Sequence, residues 1–254
     1  MTVRVAAIGD LHYGRESRDV LKPVLQAVED ARPDVLLLLG DLTDYGTPEE
    51  AQALTRELVA GIKVPMLAVL GNHDCEANAT EKVRDALREG GIVVLDGDSC
   101  EVKGVGFAGV KGFCGGFGRG ALGPWGEEVV KRFVHEAVQE ALKLESALAR
   151  LRTSARIVLL HYAPVVGTVM GEPPEIYPFL GSSRLEEPLS RLGVTAIFHG
   201  HAHKGAAEGR TSAGAPVYNV SLPLMMRLFP ERPLRILDVE PATGTCEAPV
   251  AARS

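Results

Sequence analysis

The sequence predicts an α/β fold with more strand than a simple doubly wound sheet. Three observations carry this. Short apolar runs alternate with helical periodicity over the first third. The pattern then changes at residue 92 to closely spaced β-like runs, and residues 206–249 read as further short strands. Runs 3–8, 35–39 and 66–70 are apolar at consecutive positions, as expected for parallel strands buried on both faces. Helical periodicity fits 17–30, 48–60 and 79–89. Thr47-Pro48-Glu49-Glu50 reads as a capping box with proline at the first helical position, and Gly90-Gly91 stands where a left-handed helix end is expected. Runs 92–95, 99–102 and 105–109, separated by Gly and Asp, resemble a meander. A long helix is predicted over 125–150, a strand over 157–160, a helix from Ser183 (Ser183-Arg184-Leu185-Glu186 reading as a second capping box) and a strand over 196–198. No repeat or linker composition divides the chain, so a single domain over residues 1–254 is expected.

Composition narrows the class. With 46% hydrophobic and 24% charged residues, the chain has the makeup of a folded globule and not of a disordered one. Its net charge of −6 argues against broad adhesion to nucleic acid or an anionic membrane. Its apolar runs fall far short of the roughly 20 residues a membrane span needs. The first strand starts at residue 3, which leaves no room for a secretory leader, and a cytoplasmic location is expected. Cys75, Cys100, Cys114 and Cys246 show no paired spacing and are expected as reduced thiols. Two segments are predicted to lack secondary structure: 111–126 with seven glycines and 163–181 with four prolines. Loops this long are either binding loops or solvent-exposed connections.

The histidines are concentrated. Asp10-Leu11-His12, Gly40-Asp41-Leu42-Thr43-Asp44, Gly71-Asn72-His73-Asp74, His161 and His199-Gly200-His201-Ala202-His203 each follow a predicted strand. In parallel α/β sheets the crevice beyond the carboxyl ends of the strands is where ligands bind. Asp10, Asp41, Asn72, His12, His161, His201 and His203 form a mixed nitrogen and oxygen donor set without thiolate, suited to Mn, Fe, Zn, Co or Ni. Seven ligands exceed one tetrahedral ion and match two ions about 3.5–4 Å apart sharing a carboxylate. In an extended segment His201 and His203 would project to opposite sides, so either a local turn or two different recipient metals is required. His199 reads as structural, since His201 and His203 already supply the ligand spacing, and His135 reads as a helix-surface or packing residue. The GxGxxG match over 104–109 opens no helix, which argues against a dinucleotide site.

In that order, Asp10-x-His12, Gly40-Asp41-x-x-Asp44, Gly71-Asn72-His73-Asp74, the strand-end His161 and Gly200-His201-Ala202-His203 resemble the calcineurin-like metallophosphoesterase signature. The resemblance implies a four-layer α/β/β/α sandwich with two mixed β-sheets and a dinuclear centre of divalent metal ions. It further implies that Asp10, His12 and His203 serve one ion, that Asn72, His161 and His201 serve the other, and that Asp41 bridges them. His73 is similar to the family's catalytic histidine and Asp44 to the acidic residue that orients it. Leu160 stands where the family often has glycine before the histidine, which bears on loop shape and not on ligation.

The expected activity is hydrolysis of a phosphoester by in-line attack of a metal-bridging hydroxide, with His73 assisting the leaving oxygen. A small phosphodiester, cyclic nucleotide or nucleotide is the favoured substrate, and neither nucleic acid nor membrane is an expected partner. Lys111, Arg119 and Arg184 are candidates to hold a phosphate or base, or else ordinary surface charges. Two alternatives stand beside this reading. Asp10-Leu11-His12-Tyr13-Gly14 is also similar to the DxHxG start of Mre11-type nucleases, and some proteins of the fold are catalytically silent scaffolds.

Overall fold

The computed structural model describes residues 2–14 and 18–241. The chain opens with β1 (Val3–Ile8), a 3₁₀ turn over Arg18–Val20 and α1 (Leu21–Ala31). The helix thus starts later than its periodicity suggested, and Ser17 lies outside the described residues. β2 (Val35–Leu39), α2 (Pro48–Gly61), β3 (Met66–Val69), α3 (Thr80–Glu89) and β4 (Val93–Val94) follow. At the start of α2 the Thr47 hydroxyl accepts the Glu50 N–H at 3.3 Å, and the Glu50 carboxylate accepts the Thr47 N–H at 3.2 Å. Two N-terminal amides are thereby satisfied reciprocally. Thr47→Ala is expected to cost about 1 kcal/mol of stability, read as a lower urea midpoint at unchanged slope.

The second half contains β5 (Asp98–Val102), β6 (Val105–Gly109), α4 (Glu128–Arg150), β7 (Ala155–Leu159), α5 (Tyr177–Leu180), α6 (Glu186–Leu192), β8 (Ala196–His199), β9 (Glu208–Arg210), β10 (Pro216–Asn219), α7 (Leu222–Leu228) and β11 (Arg235–Val239). One sheet has the order β11-β1-β2-β3-β4, and the other β5-β6-β7-β8-β10-β9. The first combines a parallel core with one antiparallel edge strand, β11, and the second a parallel core with antiparallel strands at both edges, so both are mixed.

The period-2 alternation of the strands produces the four layers. Val5, Ala7, Val35, Leu37, Leu39 and Val69 face Phe107, Ile157, Leu159 and Phe198 across the inter-sheet core. Their neighbours Ala6, Ile8, Leu36 and Leu38 pack instead on Leu21 and Val24 of α1, Leu54 and Leu58 of α2 and Leu87 of α3. On the far side, Leu144 and Leu148 of α4 and Leu189 of α6 cover Val158, Ile197 and Val217. The α/β/β/α sandwich is therefore observed. Among the described residues no helix is long and apolar enough to cross a membrane.

Three local expectations change. The second capping box does not form: Ser182 caps a 3₁₀ turn over Ser183–Leu185, its hydroxyl accepting the Arg184 N–H at 3.3 Å, and α6 begins only at Glu186. Residues 163–181 are not structureless, since 3₁₀ turns over Val166–Thr168 and Pro174–Ile176 precede α5, and Gly118–Gly120 makes a turn in the other loop. Within 206–249, α7 interrupts the strands, and 242–249 lies outside the described residues. Cys75, Cys100 and Cys114 are free thiols, and Cys246 also lies outside.

Candidate metal centre

All five histidine- and aspartate-bearing clusters lie just beyond the carboxyl ends of β1, β2, β3, β7 and β8. The ladder between β1 and β2 continues into their loops, with the amides of Asp10, His12 and Tyr13 donating to the carbonyls of Gly40, Asp41 and Leu42 at 2.9, 2.9 and 3.0 Å. Strand pairing thus carries Asp10 and His12 alongside Asp41. Among the described residues, four of the seven non-glycine positions with positive φ are here: Asp10 (57°), His12 (44°), Asp41 (47°) and His201 (67°). Left-handed backbone costs a residue with a side chain on the order of 1 kcal/mol or more, and it persists only where the surroundings enforce it. The turn at His201 is the local turn the spacing demanded, and it sends His201 and His203 to different groups.

Among the described residues three groups of ligand atoms result, one of them joining His12, Asp44 and His73, and the other two contain Asp10 and Asp41. Those of Asp10, His12 and His203 lie within 4.8 Å of one another, as do those of Asp41, His161 and His201. His203 Nε2 is 2.9 Å from Asp10 Oδ1. His161 Nε2 is 2.9 Å from Asn72 Oδ1, which brings Asn72 into the second group. Asp41 stands between the groups, with Oδ2 3.8 Å from His12 Nε2 and Oδ1 3.4 Å from His161 Nε2. The tautomers suit ligation. His161 Nδ1–H donates to the Leu39 carbonyl at 2.9 Å, leaving Nε2 as the donor to a cation, and His201 Nε2–H donates to the Phe179 carbonyl at 3.1 Å, leaving Nδ1. Neutral imidazoles, carboxylates and an amide oxygen in two adjacent triads fit a pair of divalent ions.

Glycines at 40, 71 and 200 permit the close approach. A Cβ on Gly71 would strike the Asp41 carboxylate, one on Gly200 the Asp10 carboxylate, and one on Gly40 the His161 ring. The glycines before Asp41, Asn72 and His201 are thus required by the close approach of His161, Asp41 and Asp10 respectively.

His73 sits beside the first group, its ring edge-to-face with His12 at 4.5 Å between centroids. Its backbone amide donates to Asp41 Oδ1 at 2.8 Å. The orienting contact expected from the Asp44 carboxylate runs instead through the Asp44 backbone: His73 Nδ1–H donates to that carbonyl at 2.8 Å. The Asp44 carboxylate turns toward His12, 3.6 Å from its Nδ1. A role that sequence reasoning missed belongs to Asp74. Fully buried, it accepts from the amides of Gly71, Leu42 and Thr43 at 2.8, 3.2 and 2.8 Å and from the Thr43 hydroxyl at 2.7 Å, tying the loop after β2 to the loop after β3. His199 is buried between the Thr168 hydroxyl and the Gly200 carbonyl, both at 2.8 Å, and His135 is exposed on α4. Of the basic candidates, Arg184 is engaged with the Leu122 carbonyl at 3.2 Å and Arg119 is exposed. Lys111 lies over the Phe113 and Tyr162 rings at 5.1 and 5.3 Å.

Burial sets the protonation of the cluster. It pushes the carboxyls of Asp10 and Asp74 up to about 6, with the Asp41 charge adding to both. It lowers the imidazoles of His12 and His161, and those of His199 and His201 to about 4 and about 3. Burial alone would also lower His203, but the Asp10 carboxylate outweighs it and raises the group. Between pH 4 and 6, unfolding therefore releases protons from two carboxyls and takes them up on the imidazoles of His161, His199 and His201, with the lowered His12 acting in the same direction, while His203 is protonated in both states. The unfolded chain binds more protons, so stability falls on acidification. We expect the unfolding free energy of metal-free protein to decline from pH 6.5 to 4, and the decline to steepen with Mn(II) present, because protons compete for the same nitrogens. Urea titrations with and without chelator measure both slopes.

Fold and donor set define a protein with a two-metal ligand site at the open edge of a double-sheet sandwich. The chain belongs to the calcineurin-like phosphoesterase family, whose sequence model matches residues 3–205. It is similar to a probable cyclic nucleotide phosphodiesterase of Synechococcus, 33% identical over 90 residues (32% of this chain, 35% of the relative). It is also similar to a 3′,5′-cyclic-nucleotide phosphodiesterase of Nostoc, 32% identical over 94 residues (33% and 35%). These matches thus span about a third of the relatives' length. Among solved structures, the phosphopantetheinyl hydrolase of Mycobacterium tuberculosis superposes with a TM-score of 0.69 over 97% of this chain and 98% of that one, at 17% identity, a likeness of fold.

Proposed function

We propose that this chain, acting as a single catalytic domain, is a metal-dependent phosphoric ester hydrolase that cleaves a small phosphodiester, a cyclic nucleotide or nucleotide being the favoured substrate. The observation that carries the reading is Asp41, whose two carboxylate oxygens face two separate ligand groups. Asp10, His12 and His203 would hold one divalent ion, Asn72, His161 and His201 the other, with Asp41 between them. Bound there, the ions supply an acidified water as nucleophile and positive charge for the phosphoryl oxygens. The chain's own residues do the rest. Asp44 fixes the His73 ring through its carbonyl, so that Nε2 is the nitrogen available to pass a proton to the leaving oxygen. Tyr45, next in sequence to Asp44, and Phe179, whose carbonyl holds His201, are both largely exposed aromatics at the site's lip. Such rings offer a stacking surface for a base. The similarity to relatives named as cyclic nucleotide phosphodiesterases supports the same substrate class.

The test is a panel of cyclic nucleotides, bis(p-nitrophenyl) phosphate, phosphomonoesters and single-stranded DNA, assayed with demetallated protein given Mn, Fe, Ni, Co or Zn separately. Turnover of the small diesters restored by metal supports the proposal. Cleavage confined to DNA, or two bound metals without turnover of any ester, overturns it in favour of a nuclease or a silent scaffold.

A further inference from the structure

We infer that Asn219 is a positioning residue for the two-metal centre, and that the segment from Asn219 to Leu222 sets the spacing between the ligands the two sheets deliver. The inference rests on the dinuclear reading above and concerns residues beyond the family match, which ends at residue 205.

Each ligand group draws on both sheets: Asp10 and Asp41 follow strands of one, while His161, His201 and His203 follow strands of the other. Something must fix the gap between the sheets where they splay open. Val220 does so with its backbone. Its N–H donates to the His199 carbonyl at 2.8 Å, at the end of β8, and its carbonyl accepts the Gly9 N–H at 2.9 Å, just beyond β1. Leu222 N–H returns to the Gly9 carbonyl at 2.9 Å, and Gly9 and Ser221 form a parallel bridge. Gly9 immediately precedes Asp10, and His199 lies two residues before His201. The strut therefore engages both sheets within two residues of a ligand on each.

The Asn219 side chain locks this strut to the ligand turn. It is fully buried. Its Nδ2–H₂ donates to the Ala202 carbonyl at 2.7 Å and to the Thr168 carbonyl at 3.4 Å, and its Oδ1 accepts the Ser221 N–H at 3.1 Å. Ala202 lies between His201 and His203, the two imidazoles that go to different groups. Only a carboxamide combines two donors and an acceptor at this reach. Aspartate lacks the donors and would set its oxygens against two carbonyls, and alanine leaves a buried carbonyl and amide without these partners. Asn219 touches no reacting atom. It acts through the His201–Ala202–His203 turn, so its loss should appear in metal binding before it appears as general instability.

Asn219→Ala and Asn219→Asp, each shown by a cooperative melt of the metal-free protein to be folded, are compared with wild type by Mn(II) calorimetry and by EPR of the loaded protein. We expect wild type to take up two Mn(II) ions as a spin-coupled pair. The variants should lose affinity for at least one ion by about 10–100-fold, as residues that hold metal ligands typically cause, and show uncoupled Mn(II) signals. Ser221→Ala keeps the backbone strut and loses only a 3.4 Å contact to the Ala202 carbonyl, and should bind both ions as wild type does. Asn219 variants that bind two coupled ions with wild-type affinity overturn the positioning role alone. Wild type that binds a single ion overturns the dinuclear reading beneath it.

Discussion

Asp41→Ala is expected to lose both metal ions, not one. Its Oδ2 faces His12 at 3.8 Å and its Oδ1 faces His161 at 3.4 Å, so each ligand group is short of a carboxylate oxygen once it is gone. The same Oδ1 accepts the His73 amide at 2.8 Å, so the loop carrying Asn72 and His73 also loses one of its ties to the loop after β2, those through Asp74 remaining. Burial raises the carboxyls of Asp10 and Asp74, and the Asp41 charge adds to both. Removing Asp41 leaves each group with fewer charged donors. Activity should fall by at least about 10³-fold, the equivalent of roughly 4 kcal/mol at 1.36 kcal/mol per decade, a loss in keeping with the several kcal/mol that metal ions supply to such reactions. Asp41→Asn, which keeps an oxygen for the His73 amide, separates the loop tie from the charge. Elemental analysis of the alanine variant decides the matter, since two metals per chain would contradict a bridging Asp41.

Much of this centre was legible because the fold reduces it to a rule about position. Strands buried on both faces read as continuous apolar runs, and polar residues immediately after them mark the sheet edge, which is why His12, Asp41, Asn72, His161 and His201 could be placed together from sequence. The Thr47 capping box was legible because every participant lies within four residues. What failed was set by competition at neighbouring positions or by distance along the chain. Ser183 has the capping pattern, but Ser182 takes the turn one residue earlier, and Ser183 Oγ accepts the Gly118 N–H instead. The seven residues of α7, Leu222–Leu228, carry too little periodicity to distinguish a helix from a buried strand. Asp44 was identified, but which of its atoms meets His73 depends on a backbone carbonyl that carries no sequence signal. Asp74 and Asn219 are single buried polar residues that each have one partner nearby in sequence, but the partners that tie them to other elements lie roughly 30 and 17–50 positions away. Only the folded ladder brings those partners within reach.

His73→Ala is expected to keep both metals and to lose activity in proportion to the basicity of the leaving group. His73 shares a group of ligand atoms with His12 and Asp44 but lies outside the two that contain Asp10 and Asp41, and its ring meets His12 edge-on at 4.5 Å, close enough to reach an oxygen departing from the first of these. A proton delivered in the transition state contributes about 10²–10⁴-fold when the leaving group is an alkoxide such as a ribose oxygen, and little when it is p-nitrophenolate, which departs unprotonated. The two substrates should therefore diverge by about two decades or more in kcat/KM while metal stoichiometry stays at two. Equal losses on both would assign His73 to binding or charge stabilisation and remove the acid role. The backbone contact sharpens this further. Because His73 Nδ1–H is held by the Asp44 carbonyl, Asp44→Ala leaves that hydrogen bond in place and should preserve the leaving-group dependence of wild type. What it removes is the carboxylate 3.6 Å from His12 Nδ1, so its effect should fall on affinity for the ion held by Asp10, His12 and His203. An Asp44→Ala enzyme that behaved like His73→Ala toward the two leaving groups would show that the side chain, and not the carbonyl, orients the ring.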